Sequence, residues 1–229
     1  MKILVVGGGG REHAVILKLK ESKQKTEIFA APGNGGISQI AECVNIAPTD
    51  IDKMVSFAIE KEIELVIVTP DDPLVQGMVD AMEAKGIKAF GPRGVAAVLE
   101  GSKAFAKAFM KRNGIPTAEY QDFINYDDAK EYIERQTKYP IVLKADGLAL
   151  GKGVIIAQNQ DEALAGLKSM MLDQVFGASG NKVVIEEFLE GIELSVMAIT
   201  DGKIIRTLTS AMDHKRAYDN DLGPNTGGM

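Results

Sequence analysis

Short apolar runs that stop at glycine or proline recur through the first hundred residues, and segments with helical spacing of their apolar residues lie between them. The first run is KILVV (residues 2–6), and four consecutive glycines follow it closely. A continuous apolar run of this length, bounded by turn residues, is typical of a strand that is buried on both faces. Strands that alternate with helices at short spacing predict a doubly wound α/β domain with a parallel sheet.

The other elements of this domain follow from the same pattern. Strands are predicted at 27–31, 64–68 and 88–92, and helices at 11–22, 50–62 and 74–86. Asp50 is of a residue type that caps helix N-termini, and Gly86 is of the type that ends helices. We therefore predict that residues 1–100 form the first, Rossmann-like domain.

The pattern changes after residue 100, where a helix is predicted at 101–114 and an extended linker at 115–120. Ser102 is the predicted N-cap of this helix, and Gly114 its stop. Further strands are predicted at 121–124, 141–145, 154–157 and 182–191, helices at 127–137 and 161–171, and a hairpin at 193–209 with Asp-Gly at its turn. Residues 101–229 are therefore predicted to form a second, α+β domain, with the boundary between 101 and 116.

Composition excludes several classes of protein. The net charge of −6 and the pI near 5.1 argue against a general nucleic-acid-binding protein. The single cysteine, Cys43, excludes an intramolecular disulfide and fits a reducing compartment. No apolar run approaches the roughly 20 residues of a membrane helix, and the N-terminal run is too short for a signal peptide. The sequence predicts a cytoplasmic protein with no membrane or nucleic-acid partner, and it leaves the oligomeric state open.

A glycine-rich loop lies between the predicted strands 141–145 and 154–157, in the stretch KADGLALGKGVIIA. It is not a P-loop, because GLALGKG is one residue short, has Gly153 at the hydroxyl position and leads into a strand. Its glycines let backbone N–H groups approach an anion, and Lys144 and Lys152 add positive charge. A phosphate-binding hairpin and a surface hairpin with solvated lysines both fit these residues.

The stretch VVGGGGREH departs from a dinucleotide-binding fingerprint, because Glu12 stands where the third glycine is needed. The second predicted strand ends without an acidic residue for a ribose hydroxyl, so a nicotinamide cofactor is not expected. The predicted helix N-terminus after Gly10, together with Arg11, favours a sugar phosphate. A tight turn without a ligand is the alternative.

The stretch IEEFLEGIE places carboxylates where a strand ends. Backbone groups near Phe188 and Leu189 are suited to reading adenine edges, and Glu193 to accepting from ribose hydroxyls. The same stretch is equally compatible with carboxylates at a strand end that are solvated and bind no ligand. His13 and His214 lack metal-ligand spacing, and no nucleophile–base arrangement is visible.

Taken together, these motifs resemble the phosphoribosylamine–glycine ligase family, also called glycinamide ribonucleotide synthetases, of the ATP-grasp superfamily. The resemblance runs along the whole chain. It is carried by GGGGREHA, APGN, FGP, EGSKAFAK, IPTAEY, KADGLALGKGV, VIEEFLEG, DHKRAYD and GPNTGGM. It implies an N-terminal pre-ATP-grasp domain and an incomplete ATP-grasp domain, with a lid subdomain at about 117–192.

The resemblance also implies roles for individual residues. The residues that match the family's phosphate lysines, lid, adenine hinge and ribose ligand are Lys103, Lys144, Gly151, Lys152, Gly153, Glu186, Glu187, Leu189 and Glu193. The residues that match its phosphoribosylamine side are Gly10, Arg11, Glu12, Gly33, Asn34 and Asp71. The residues that match its acyl-phosphate and amine loops are Asp213, Lys215 and Asn225, as catalytic residues, with Thr226 and Gly227.

The implied activity is the ATP-dependent ligation of glycine to 5-phosphoribosylamine, with Mg²⁺ as the metal. Two features depart from the family. Asp71 stands where many members have glutamate, so the carboxylate is one methylene shorter. The family also continues for nearly as much chain again after GPNTGGM, including its magnesium ligands, so we assign no metal ligand here and expect impaired catalysis.

Two alternatives remain open at the level of sequence. One is a different ATP-grasp carboxylate–amine ligase, although the pair GGGGREHA and APGN and the loop GPNTGGM argue against it. The other is a non-catalytic nucleotide-binding module that needs a second chain.

Overall fold

The structure, a computed structural model, describes residues 1–148, 153–212, 216–219 and 222–225. The chain divides into two compact units. The first unit comprises Met1–Thr117 with Asp146–Leu148, and the second comprises Ala118–Ala145 with Ala149–Met229. The predicted domain division, 1–100 and 101–229, stays a prediction.

The first unit contains a parallel sheet flanked by helices. Its strands are β1 (Lys2–Gly7), β2 (Glu27–Pro32), β3 (Glu42–Cys43), β4 (Leu65–Val68) and β5 (Lys88–Phe90). Its helices are α1 (Gly10–Lys20), α2 (Ile51–Glu60), α3 (Asp71–Val75), α4 (Met78–Glu83), α5 (Gly94–Gly101) and α6 (Lys103–Arg112), with a 3-10 helix at Ile37–Gln39. The strand order is β3-β2-β1-β4-β5 and all pairs are parallel, which confirms the predicted doubly wound sheet.

Strand β1 is buried on both faces, as its apolar run predicts. Ile3 and Val5 belong to a core cluster that includes Ile16 of α1. Leu4 and Val6 belong to another, which includes residues of α2 and α4. Because successive side chains of a strand point to opposite faces, one short run supports two helical layers. Burial of each such aliphatic side chain stabilises the fold by about 1.5–3 kcal/mol.

The helices after β4 differ from the prediction. The predicted helix 74–86 is two helices, α3 and α4, because Gly77 between them has φ +88°. Helix α5 was not predicted at all. Its N-cap residue Arg93 makes no side-chain cap, and the Gly94 N–H is instead accepted by Asp80 Oδ2 at 2.8 Å. Because the side chain that caps α5 is distant in sequence, no residue close to Gly94 indicates that a helix begins there.

The second unit has an antiparallel sheet with helices on one face, which confirms the predicted α+β class. Its sheet strands are β6 (Tyr120–Phe123), β7 (Ile141–Ala145), β8 (Val154–Ala157) and β9 (Val183–Glu187), in the order β6-β9-β7-β8. Its helices are α7 (Tyr126–Glu134) and α8 (Gln160–Met171), with a 3-10 helix at Gly177–Asn181. The core under the helices includes Ile133, Leu143, Leu167, Met170 and Ile185.

The second unit also contains two small two-stranded sheets. They are formed by β10 (Ala198–Thr200) with β11 (Ile205–Thr207) and by β12 (Arg216–Tyr218) with β13 (Leu222–Asn225). The β10–β11 hairpin confirms the prediction for this segment, and Asp201 and Gly202 lie in its turn. Within the described residues, the helices are too short or too polar for any of them to cross a membrane.

Candidate nucleotide and substrate sites

Lys144 and Glu186 lie on the face of the second unit's sheet that is opposite its helices. The register pairs Val142 with Glu186 and Lys144 with Val184, so the two charged side chains are diagonal neighbours on adjacent strands. The Lys144 ammonium forms an ion pair with the Glu186 carboxylate. The Glu186 side chain is 5% exposed and the Lys144 side chain 30% exposed, so the lysine is the member that solvent or a ligand can reach.

Glu187 has a different environment from Glu186, because neighbouring residues of a strand point to opposite faces. The Glu187 carboxylate accepts a hydrogen bond from the Glu119 N–H at 3.0 Å. Leu189 and Glu193 follow the end of β9, and both are exposed. Of the predicted adenine and ribose residues, the structure therefore buries only Glu186.

The glycine-rich loop connects two antiparallel strands, β7 and β8. The pairing extends to the loop, since the Ala145 N–H donates to the Gly153 carbonyl oxygen at 2.8 Å. This confirms that the stretch is a strand–loop–strand hairpin rather than a P-loop, which needs a helix after the loop. Gly151 and Lys152 lie outside the described residues.

Lys103 is the first residue of α6, and its surroundings lie within the first unit. Its ammonium donates to the Gly147 carbonyl oxygen at 2.7 Å. Ser102 is the N-cap, as predicted, and its hydroxyl accepts from the Phe105 N–H at 3.1 Å. The same hydroxyl donates to the Asp146 carboxylate at 3.0 Å, and the Ala104 N–H donates to Asp146 Oδ1 at 3.1 Å. No role was predicted for Asp146, although it lies within the motif KADG.

The loops after β1 and β2 contact each other closely. The Gly33 N–H donates to the Gly7 carbonyl oxygen at 3.1 Å, and Asn34 Nδ2 donates to the Gly8 carbonyl oxygen at 2.8 Å. A Cβ atom on Gly8 would overlap the carbonyl oxygen of Gly33. Asn34 Oδ1 in turn accepts from two backbone N–H groups of its own loop, those of Gly36 and Ile37. The structure thus brings the predicted residues Gly33 and Asn34 against the glycine turn.

Glu12 is a buried component of this turn. Its Oε2 accepts a hydrogen bond from the N–H of Gly9, the N-cap of α1, at 2.5 Å. A Cβ on Gly7 would lie 2.7 Å from Glu12 Cγ, so the glutamate occupies the space that the glycine leaves. Gly10 and Arg11, in contrast, are exposed at the start of α1. The residue that departs from the dinucleotide fingerprint therefore caps the helix.

Asp71 is exposed at the start of α3, directly after β4. β1 and β4 are neighbouring parallel strands, and the Thr69 hydroxyl joins their ends by donating to the Val6 carbonyl oxygen at 2.8 Å. The chain runs from β1 outward to β3 and then returns to place β4 on the other side of β1. Ligands of open α/β sheets bind at the carboxyl ends of the strands where the order reverses. Gly10, Arg11 and Asp71 flank this position.

Models of two protein domains match the chain from end to end. Residues 1–100 match the phosphoribosylglycinamide synthetase N domain, and residues 101–229 match the phosphoribosylglycinamide synthetase ATP-grasp (A) domain. The chain belongs to the phosphoribosylglycinamide synthetase family.

Relatives in this family are similar over the whole length of the chain. A phosphoribosylamine–glycine ligase of Caldanaerobacter subterraneus subsp. tengcongensis is 50% identical over 100% of this chain and 55% of the relative. One of Streptococcus suis is 52% identical over 100% of this chain and 54% of the relative. The crystal structure of the phosphoribosylamine–glycine ligase of Thermotoga maritima has a TM-score of 0.82 at 32% identity and covers 99% of this chain and 54% of that chain. The chain spans about half the length of the curated relatives it matches.

Several residues predicted for a synthetase site have no structural description. Gly151, Lys152, Asp213, Lys215, Thr226 and Gly227 lie outside the described residues. Asn225 ends β13, and its side chain is likewise not described. Among the residues that the structure describes, no three His, Cys, Asp or Glu side chains are grouped so that they could hold a metal ion.

Proposed function

We propose that this chain carries the ATP-binding and amine-binding parts of an ATP-dependent phosphoribosylamine–glycine ligase. The proposal rests on one observation. Over its whole length, the chain is 50% identical to a relative named phosphoribosylamine–glycine ligase. Because the chain spans about half of such relatives, we propose that nucleotide binding resides here and that turnover needs the remaining part.

The proposed reaction has two steps. The glycine carboxylate attacks the γ-phosphorus of ATP, which gives glycyl phosphate and ADP. The amine of 5-phosphoribosylamine then attacks the glycyl carbonyl carbon, loses a proton and expels phosphate, which gives glycinamide ribonucleotide. Neither step needs a covalent nucleophile from the protein, so the work of the protein is to position the reactants and stabilise their charge.

Lys103 and Lys144 are each proposed as ligands of the ATP phosphates. In the structure the Lys144 ammonium pairs with Glu186 and the Lys103 ammonium with the Gly147 carbonyl oxygen. An ammonium has three N–H donors, so each lysine can keep an anchoring partner while it donates to a phosphate oxygen. Gly151, Lys152 and Gly153 are proposed to cover the phosphates.

The base and sugar of ATP are proposed to lie at the end of β9. Backbone groups after Glu186 are suited to the adenine edge, and Leu189 to its face. Glu193 is proposed to accept from the ribose hydroxyls. Glu187 is proposed to act through its backbone, because its carboxylate already accepts the Glu119 N–H.

The loops of the first unit are proposed to hold 5-phosphoribosylamine. Arg11 is exposed beside the N-terminus of α1 and is proposed as the phosphate ligand, together with the N–H of Gly10. Gly33 belongs to the same pair of loops. Glu12 and Asn34 are proposed to hold these loops rather than the substrate, because their side chains bond the backbone. Asp71 is proposed to accept from a sugar hydroxyl or the amine.

The remaining predicted residues are Asp213, Lys215, Asn225, Thr226 and Gly227, which we propose to lie around glycyl phosphate and the attacking amine. The ATP-grasp family uses a divalent cation with its nucleotide. Among the described residues, no three carboxylate, imidazole or thiolate groups are placed to hold this Mg²⁺.

Calorimetric titration of the purified chain with MgATP, glycine and ribose 5-phosphate tests the binding part of the proposal. We expect saturable binding of MgATP, and a ligand at a hundredfold excess over its Kd should stabilise the fold by about 2.7 kcal/mol. Ribose 5-phosphate is expected to bind through Arg11, and Arg11→Ala should abolish this binding. Absence of MgATP binding by a folded chain would contradict the proposal.

A chimaera tests the proposed turnover. Residues 1–229 are joined to the remaining part of the Caldanaerobacter relative, and ADP release is followed with glycine, ATP and freshly generated 5-phosphoribosylamine. We expect ADP release that requires both co-substrates, and none from residues 1–229 alone. Release from residues 1–229 alone would show that turnover needs no further chain, whereas a folded, ATP-binding chimaera without release would argue against this substrate pair.

A further inference from the structure

Asp146 contacts the N-terminus of α6 through both of its carboxylate oxygens. Oδ1 accepts the Ala104 N–H at 3.1 Å, and Oδ2 accepts the Ser102 hydroxyl at 3.0 Å. The first turn of a helix has backbone N–H groups without helical partners. Asp146 and Ser102 satisfy two of these groups, those of Ala104 and Phe105. The backbone of Lys103, which lies between the two capping contacts, is thereby fixed.

The residue after Asp146 fixes the other end of the lysine. Gly147 has φ +91°, a conformation that favours glycine, and its carbonyl oxygen accepts the Lys103 ammonium at 2.7 Å. One short segment, Asp146–Gly147, therefore anchors both the main chain and the ammonium of Lys103. A lysine side chain has four rotatable bonds, so anchoring at both ends removes most of the freedom that ordering on a phosphate would otherwise cost.

We infer that Asp146 is a positioning residue for Lys103 and sets its ammonium for the phosphates of a nucleoside triphosphate. The inference rests on the proposed function. Asp146 itself does not suit a phosphate ligand, because a carboxylate repels a phosphate. Its oxygens instead accept donors of the helix terminus, so its effect on a ligand passes through Lys103.

The test compares the binding of MgATP and of adenosine to four single variants of the chain and to one double variant. Asp146→Ala removes both acceptors, Asp146→Asn keeps the Oδ1 acceptor, and Lys103→Met removes the ammonium. Asp50→Ala is the matched control, because Asp50 is also a carboxylate that caps a helix of the first unit. Circular dichroism melts of each variant identify any that fails to fold.

Asp146→Ala is expected to weaken MgATP binding roughly tenfold and to leave adenosine binding unchanged, because only the phosphates contact Lys103 in the proposed site. Asp146→Asn should recover most of the loss, and Asp50→Ala should bind as the wild type does. Asp146→Ala combined with Lys103→Met should bind MgATP no more weakly than Lys103→Met alone. Equal weakening of MgATP and adenosine, or wild-type MgATP binding by Asp146→Ala, would overturn the inference.

A second measurement needs no nucleotide, so it separates failure of the inference from failure of the proposed function. Lysines are methylated with ¹³C-formaldehyde, and the Lys103 signal is assigned by its loss in Lys103→Met. In wild type the NMR chemical shift of the methylated Lys103 ammonium should differ from the shifts of exposed lysines. In folded Asp146→Ala it should move towards the shifts of exposed lysines. An unchanged signal would overturn the positioning role. A shifted signal in a chain that does not bind MgATP would support the anchoring of Lys103 and overturn its link to a phosphate.

Discussion

Lys144 and Glu186 are joined by an ion pair across the adjacent antiparallel strands β7 and β9, on the sheet face opposite the helices. The family resemblance implied a phosphate contact for the lysine and an adenine contact for the glutamate, and it did not link the two residues. The pair has consequences for any experiment on Lys144, because the Glu186 carboxylate is buried and the Lys144 ammonium is its ion-pair partner. A variant of Lys144 therefore tests stability as well as ligand binding.

Lys144→Met is expected to destabilise the chain by about 2 kcal/mol, measured from urea unfolding followed by circular dichroism. Removing one partner of a fully buried pair costs roughly 3–5 kcal/mol, and the partial exposure of Lys144 reduces this cost. Lys182→Met is the matched control, since Lys182, directly before β9, pairs with Asp122 of β6 at 3.3 Å and both side chains are more than a third exposed. It should shift stability by less than about 0.5 kcal/mol. Equal losses of unfolding free energy in Lys144→Met and Lys182→Met would contradict the view that burial of Glu186 makes its ion pair more important for stability.

Gly8→Ala and Gly10→Ala are expected to have opposite effects on stability. A Cβ on Gly8 would overlap the Gly33 carbonyl oxygen, and backbone cannot move aside without separating the loops. We expect a loss of about 2 kcal/mol or more. A Cβ on Gly10 meets no atom within 4 Å, and alanine favours the helix that begins there. We expect a gain of roughly 0.4–1 kcal/mol.

The same pair of variants separates folding from ligand binding. Gly10→Ala should weaken the binding of ribose 5-phosphate, because its methyl group would lie beside the backbone N–H of residue 10, a proposed ligand of the phosphate. Thermal melts should show that the fold is intact. Unaltered binding by Gly10→Ala would contradict the proposed position of the phosphate. Stability of Gly8→Ala equal to wild type would contradict the close contact of the two loops.

Asp50 is expected to make stability depend on pH. The Lys53 side chain and then its backbone N–H, both hydrogen-bonded to Asp50, hold the pKa of this carboxyl below its ordinary value. A lowered folded-state pKa contributes stability that is present above the unfolded-state pKa, near 3.9, and is lost as the pH falls through the folded-state value. Asp50→Asn should therefore be less stable than wild type near neutral pH, and the difference should shrink below about pH 4.

Urea midpoints of wild type and Asp50→Asn, measured at several pH values and at low and high salt, check this expectation. Salt should reduce the difference, because Asp50 lies at the surface. A difference that grows towards acid would contradict the sign of the pKa shift.

The β10–β11 hairpin is expected to cause self-association of the chain. The register pairs Ile199 with Arg206 and Thr200 with Ile205. Ile199 and Ile205 are exposed, as are Val196 and Met197 just before β10. Contiguous exposed apolar surface promotes association. Ile205→Lys should lower the sedimentation coefficient measured at high concentration and leave thermal stability within about 0.5 kcal/mol. Ile185→Lys, in the core under α7 and α8, should prevent folding.

An equal tendency of wild type and Ile205→Lys to associate would show that another surface is responsible. Fluorescence of a dye that binds apolar surface offers a second measure, and it should fall in Ile205→Lys.

The local parts of this structure were accessible from the sequence. Short apolar runs predicted four strands of the parallel sheet and the strands of the four-stranded sheet, because burial and turn chemistry act over a few neighbouring residues. Strand β3 was missed, because its two residues, Glu42 and Cys43, are too few to make a pattern. Asp50 and Ser102 were predicted as N-caps correctly, since a cap and the N–H that it accepts are three residues apart. The strand–loop–strand form of the KADG stretch was also predicted, because the residues that follow the loop have strand periodicity.

What the sequence by itself determined, then, was the class of each domain, most elements and the residues that carry the family resemblance. Tertiary structure alone decided which of those residues meet. Ser102 and Asp146 are 44 residues apart, and Asn34 and Gly8 are 26 apart, so their contacts exist only once the chain has folded. The start of α5 and the pairing of Lys144 with Glu186 have the same origin. No local pattern encodes such contacts, because a hydrogen bond or ion pair depends on the positions of two atoms and not on their separation in sequence.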